Sequence, residues 1–132
     1  ISTPVVVNAA GPWARRVGQW VGIDLPLQIT REPEAIFRPP AGAAHLRHAV
    51  SNMVDRTYYR PMSAGQTLIG TGHPKESEPA DPAAYQREVD QKFISYVSER
   101  LGHRLSAYAG SHFVKGWAGL YTVTPDWNMI LD

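Results

Sequence analysis

The residues of this chain best placed to do chemistry are aromatic, and they sit in strand-like segments. Trp117 and Tyr121 share one face of a strand at a period of two, and Gly119 between them leaves room for something flat. Tyr59 lies in a second β-rich run. Walls of this kind suit an apolar amine, with a tyrosine hydroxyl as the polar handle, although each ring taken singly also suits a core. Other candidates carry less. His45 and His48 lie three apart, but the stretch from Pro40 to Val50 offers no acidic residue to complete a metal site, and no metal is expected. Gly70-Thr71-Gly72 resembles half of a phosphate loop, yet His73-Pro74 follow and no helix begins there, so it reads as the end of a hairpin. Gly-x-Ser-x-Gly is absent, and Thr124-Pro125-Asp126 is turn chemistry. No catalytic residue is assigned.

A different signal stands near the start. Residues Val5 to Ala14 read VVVNAAGPWA, a β-branched run that breaks at Gly11-Pro12 and enters helix-forming sequence. A buried strand feeding a helix start is where open α/β folds bind nucleotides and cofactors, because the first helical N–H groups lack intrahelical partners. A single glycine is not the three-glycine fingerprint of a dinucleotide site.

The elements that must position these groups follow from periodicity. Val5–Val7 reads as a strand buried on both faces, and Pro12 opens a short helix that Gly22 closes. Leu27 to Phe37 alternates but is interrupted by Pro33, which predicts an edge strand or two short strands. Val50–Asp55 is a possible strand. Thr57–Met62 and Gln66–Gly70 flank Ser63-Ala64-Gly65 and predict an antiparallel hairpin. Asp81-Pro82 predicts a helix start, and Tyr85, Val89, Phe93, Val97 and Leu101 recur every four residues until Gly102. Tyr108–Tyr121 returns to strand character, and Met129–Leu131 begins a last strand. Hairpin-paired strands with one long amphipathic helix and a short N-terminal helix predict an α+β fold with a mixed, largely antiparallel sheet.

Bulk properties exclude several classes. The 132 residues are 43% hydrophobic and 19% charged, near the globular average. A net charge of +1, with no like-charge block longer than a pair, argues against nucleic acid or a charged membrane surface as partner. No apolar run is long enough to span a membrane. The chain has no cysteine, which removes disulfides, thiolate metal sites and thiol nucleophiles, and fits a reducing compartment. With no secretory signal visible, a cytoplasmic protein is expected. Ile1 opens the chain without methionine and Asp132 closes it straight after an apolar stretch, which reads as a segment of a longer protein.

Three stretches in order carry a family resemblance. VVVNAAGPWARRVGQWVGIDLPL at Val5–Leu27 resembles the middle segment of flavoprotein amine and amino-acid oxidoreductases, the family of D-amino-acid oxidase, glycine oxidase, sarcosine oxidase and dimethylglycine dehydrogenase. YYRPMSAGQTLIG at Tyr58–Gly70 is similar to that family's hairpin, and WAGLYTVTPDWNMI at Trp117–Ile130 resembles its later signature. The resemblance implies a single substrate-binding domain over residues 1–132, with 1–22 a border segment taken from the FAD domain. It implies FAD in the parent protein, with Ala9, Ala10, Gly11 and Trp13 passing beside the flavin. It also implies that Tyr59, Arg60, Trp117 and Tyr121 contact a small amine or amino-acid substrate. Tyr121 stands where glycine-oxidase-like members carry a carboxylate-gripping arginine, which points toward secondary or tertiary amines. His73 is not cleanly matched to the family's histidine. The pyrophosphate-binding Gly-x-Gly-x-x-Gly is not in this sequence, so the segment alone is expected to be inactive and to hold no FAD, its partner being the remaining FAD domain. The alternative is a non-catalytic α+β binding or assembly subunit.

Overall fold

A computed structural model describes residues 2–73 and 75–131. Expectations that touch Ile1, Pro74 or Asp132 lie outside the described residues. The chain divides into two compact units. The first comprises Ile1–Arg31, Glu78–Tyr85 and Leu120–Asp132, and the second Glu32–Ser77 and Gln86–Gly119.

In the first unit, Gly11–Trp13 forms a single 3-10 turn with Pro12 at its start, and α1 (Ala14–Gln19) follows directly. Proline fits there because its missing N–H would have had no intrahelical partner. Gly22, at φ +80°, ends the segment as its residue type predicts. The run Val5–Val7 is not a strand. It makes no strand pairing among the described residues, and Val7 is 83% exposed. A strand buried on both faces needs neighbours to take its N–H and C=O groups, and among the described residues none pairs with this run. Met129–Leu131 likewise forms no strand and is exposed.

Strand β1 (Gln28–Arg38) corrects the expectation of an edge strand or two short ones: it is continuous and lies inside the sheet. Pro33 is tolerated because it falls where the strand changes partner. Before it, the Arg31 N–H donates to the Glu78 carbonyl (2.8 Å) and the Ala80 N–H to the Ile29 carbonyl (2.9 Å). After it, the antiparallel ladder with β4 runs from Glu34↔Gly70 to Phe37↔Thr67. The proline therefore removes no donor from that ladder.

The second unit carries most of the sheet. Strands β2 (Val50–Asn52), β3 (Thr57–Pro61) and β4 (Thr67–Thr71) join β1 and β5 (His112–Val123) in the order β2-β3-β4-β1-β5. The β3–β4 hairpin closes over Ser63–Gly65 as predicted, with Tyr59↔Ile69 and Tyr58↔Gly70 in register. Strand β2 is shorter than expected, because Asn52 turns the chain by accepting from the N–H groups of Val54 and Asp55 (3.1 and 3.3 Å). Strand β5 starts later than expected, after a 3-10 turn at Ser106–Tyr108.

Helix α2 (Gln91–Arg104) starts ten residues after the predicted Asp81 cap and runs past Gly102. Asp90 is the actual cap: its side chain accepts from the Phe93 N–H at 2.7 Å. Asp81 instead starts a turn, its carbonyl accepting from the Ala84 N–H (3.0 Å), and the residues between that turn and Asp90 are not helical. The Arg87 carbonyl accepts from the Ala118 N–H (2.7 Å), and Val89 packs where a Cβ on Gly116 would lie. Val97 and Leu101 of α2 bury against Ala35, Phe37, Tyr59 and Ile69, with Tyr108 completing the core. The Tyr108 hydroxyl accepts from the Leu46 N–H (3.0 Å) and bonds the Thr67 hydroxyl (2.9 Å), tying loop and sheet together. No helix of the described residues is long and apolar enough to cross a membrane.

Two outcomes follow from these contacts. Replacing Asp90 by Ala removes the α2 cap and should cost about 1 kcal/mol of stability in a urea titration. Tyr108→Phe leaves the buried Thr67 hydroxyl and the Leu46 N–H without their partner, and should cost roughly 1–3 kcal/mol in the same measurement.

Candidate functional site

The alternation of β3 gives its two tyrosines opposite fates. Tyr59 faces α2, is 1% exposed, and its hydroxyl accepts a hydrogen bond from Thr57 Oγ1 (2.8 Å). Tyr58 faces the other side of the sheet, where it lies across Gly70: a Cβ at that glycine would collide with the phenol. Laid flat in this way, the ring delivers its hydroxyl to Glu34 on the next strand, donating to Oε1 at 2.7 Å. Tyr58, Gly70 and Glu34 thus form one row across three strands. The row borders a cavity of about 350 Å³, completed by Ala49, Val50, Ser51 and Arg60 with Tyr59 and Leu68 behind them.

Glu32 stands two residues before Glu34 on the same strand, and its environment differs. Its side chain is 7% exposed, and Lys75 Nζ binds its Oε2 while also donating to Thr71 Oγ1 (3.0 Å). His73 Nε2 lies 3.7 Å from Oε1 of the same carboxylate. Glu34 has only the neutral phenol: among the described residues no basic side chain forms an ion pair with it.

The residues singled out from sequence are distributed over both units. Arg60, exposed, and Tyr59, buried, both border the second unit's cavity. Trp117 belongs to the same unit but not to the cavity lining; it is half-buried, with Lys115 Nζ 5.9 Å from its ring centroid. Tyr121 falls in the first unit and is 47% exposed. Gly119 does leave open space, since nothing stands within 4 Å of where its Cβ would be. Neither Tyr58 nor Glu34 stands out from the sequence. Adjacent tyrosines must face opposite ways, but which one faces the helix emerges only once the register is known.

Ala9, Ala10, Gly11 and Trp13 lie in the first unit, on a turn shaped by Asn8. The Asn8 side chain accepts from the Ala10 N–H (3.3 Å) and donates to the Ala14 carbonyl (2.8 Å). Gly11 adopts φ +52°, and nothing stands within 4 Å of its missing Cβ. This open backbone, beside an exposed Trp13, fits the flank of a flat ring such as a flavin.

The remaining motifs are structural. His45 packs its imidazole on Gly65 of the hairpin loop. Among the described residues no three His, Cys, Asp or Glu side chains gather as a metal site. Thr124–Asp126 is a turn in which the Asn128 backbone N–H donates to Asp126 Oδ1 (3.1 Å) and, as the leading cause, holds that carboxyl below its usual range. A second cavity of about 290 Å³, lined by Arg15, Leu27, Gln28 and Thr124 among others, has Arg15 as its one charged side chain. Asp24 engages that guanidinium through two hydrogen bonds of 2.8 and 3.1 Å.

Comparison with known proteins identifies the family. The family model described as FAD dependent oxidoreductase (DAO) matches residues 1–132. "FAD-dependent oxidoreductase domain-containing protein 1" of Bos taurus is 26% identical over 92% of this chain, and its Mus musculus counterpart 27% identical over 92%. The chain spans 27% of the length of each of these relatives. Glycine oxidase from Geobacillus kaustophilus superposes with a TM-score of 0.73 at 25% identity, covering 91% of this chain and 30% of that one. L-proline dehydrogenase from P. horikoshii shares the fold, with a TM-score of 0.77 at 23% identity over 96% of this chain and 33% of that one. The chain belongs to the FAD dependent oxidoreductase family.

Proposed function

We propose that this chain is the substrate-binding part of an FAD-dependent oxidoreductase that oxidises a secondary or tertiary amine, or an amino acid, at the carbon next to nitrogen. The observation that carries the reading is the family match over the whole chain, residues 1–132. Relatives of known structure named as a glycine oxidase and an L-proline dehydrogenase support an amino acid or amine as substrate class. Residues 1–22 are read as the border with the FAD-binding portion, and 1–132 as one substrate domain.

Within this reading each side chain has a task of position or charge. Ala9, Ala10, Gly11 and Trp13 would flank the flavin, since their turn leaves backbone open to a flat ring. When bound, FAD supplies the acceptor for a hydride equivalent from the substrate carbon. Arg60 offers a guanidinium to a substrate carboxylate. The Tyr58 phenol and the buried Tyr59 give the cavity its shape. Trp117 and Tyr121, which do not line this cavity, are read as substrate contacts from the family resemblance alone, Tyr121 offering one uncharged hydroxyl where glycine-oxidase-like members carry arginine. Such a hydroxyl suits a substituted amine better than it grips a carboxylate.

The test is kinetic, on the complete protein that contains this chain. Tyr121→Phe deletes a single neutral hydrogen bond and should lower kcat/KM roughly 2–10-fold for the preferred amine. Unchanged kinetics across a panel of glycine, N-methylglycine, N,N-dimethylglycine and proline would remove Tyr121 from the site. The 132-residue chain purified alone should show no stoichiometric flavin absorbance; a flavin band at one equivalent would overturn the assignment of cofactor binding to the remainder of the protein.

A further inference from the structure

We infer that Glu34 makes the second unit's cavity selective for a cationic nitrogen, so that its ligand is an ammonium-bearing amine or amino acid and not a neutral or anionic isostere. The identity of that ligand as a substrate rests on the oxidoreductase reading; the charge selectivity does not. The argument begins with the contrast on β1. Glu32 and Glu34 share one face of the strand, yet only Glu32 is neutralised, by Lys75 with His73 close by. Glu34 borders the cavity with a neutral phenol as its hydrogen-bond donor and, among the described residues, no basic side chain in an ion pair with it.

A half-buried carboxylate held this way is costly to the fold unless something meets its charge. The Tyr58 hydroxyl occupies Oε1 and fixes the group's direction. No protein hydrogen bond falls on Oε2 among the described residues, which leaves that oxygen as an acceptor for N–H groups of a ligand. Ala49, Val50 and Leu68 add apolar lining beside Ser51 and Arg60, so a ligand cation meets the carboxylate against a partly apolar wall. Gly70 is part of the device: a side chain at that position would lift Tyr58 and release Glu34. Arg60 sits two residues beyond Tyr58 on the same face of β3, so a ligand that also bears a carboxylate finds an opposite charge within the same lining. The arrangement fits a zwitterion, with its ammonium toward Glu34.

The experiment compares two isosteres that differ only at the nitrogen. N-methylglycine and methoxyacetate carry the same carboxylate, one with a cationic amine and the other with an ether oxygen. Each is titrated calorimetrically into the complete protein that contains this chain. The wild type should bind N-methylglycine at least about tenfold more tightly, the scale of one charge-assisted hydrogen bond. Glu34→Gln keeps the shape and an acceptor for Tyr58 but loses the charge, and should bring the two dissociation constants to within about threefold. Equal binding of the two probes by the wild type overturns the inference without any variant, as does a preference that survives Glu34→Gln. A protein that shows this Glu34-dependent preference yet reduces no flavin with any amine would refute the oxidoreductase reading alone. One that oxidises amines with the same preference before and after Glu34→Gln would refute this inference alone.

Discussion

The register that sets Gly70 between Tyr58 and Glu34 governs what both faces of the sheet can do. Because side chains alternate with a period of two, fixing this row also fixes its neighbours: Tyr59, Ile69 and Ala35 must point the other way, into the core under α2. A slip of one residue would expose the core set and bury the polar row. The glycine is the hinge of the arrangement. It is the one side chain small enough to let a phenol lie across the strand and reach the carboxylate beyond it. Core and cavity are therefore two readings of one hairpin.

Electrostatics then separates two carboxylates that sequence makes look alike. Glu32 is buried with a lysine that also bonds Thr71, so its charge fastens the chain leaving β4 back onto β1. Ion pairs of this sort contribute little net stability, since desolvation offsets attraction, but breaking one leaves an uncompensated charge. Their usefulness is in fixing geometry. Glu34 receives direction from a neutral donor and has no ion-pair partner among the described residues. The same strand thereby carries one structural acid and one receptive acid.

How much of this was legible depended on whether the signal was local. The β3–β4 hairpin was, because alternation and the Ser63-Ala64-Gly65 loop agree. The C-terminal half of α2 was, because its apolar stripe is regular. The helix start was not. Asp81-Pro82 and Asp90 both look like caps, and the choice between them is made at a distance, by Gly116 admitting Val89 and by Ala118 hydrogen-bonding Arg87. Pro33 misled for a related reason: its penalty vanishes where a strand exchanges partners. The candidate site shows the same division. Arg60 was found by motif, whereas Tyr58 and Glu34 required knowing which face the helix covers.

The N-terminal motif teaches where family information resides. The resemblance began with a β-branched run, yet Val5–Val7 has no strand partner among the described residues and stands exposed. The turn after it is nevertheless formed. Asn8 holds it through two side-chain hydrogen bonds, Gly11 supplies the left-handed backbone, and Pro12 starts the helical turn. These are interactions over six residues or fewer, so they need no sheet beside them. A strand is completed by its neighbours, while an Asx-type turn is completed by its own side chain. The turn is thus written locally, whereas the valines before it find no strand partner among the described residues and stay exposed.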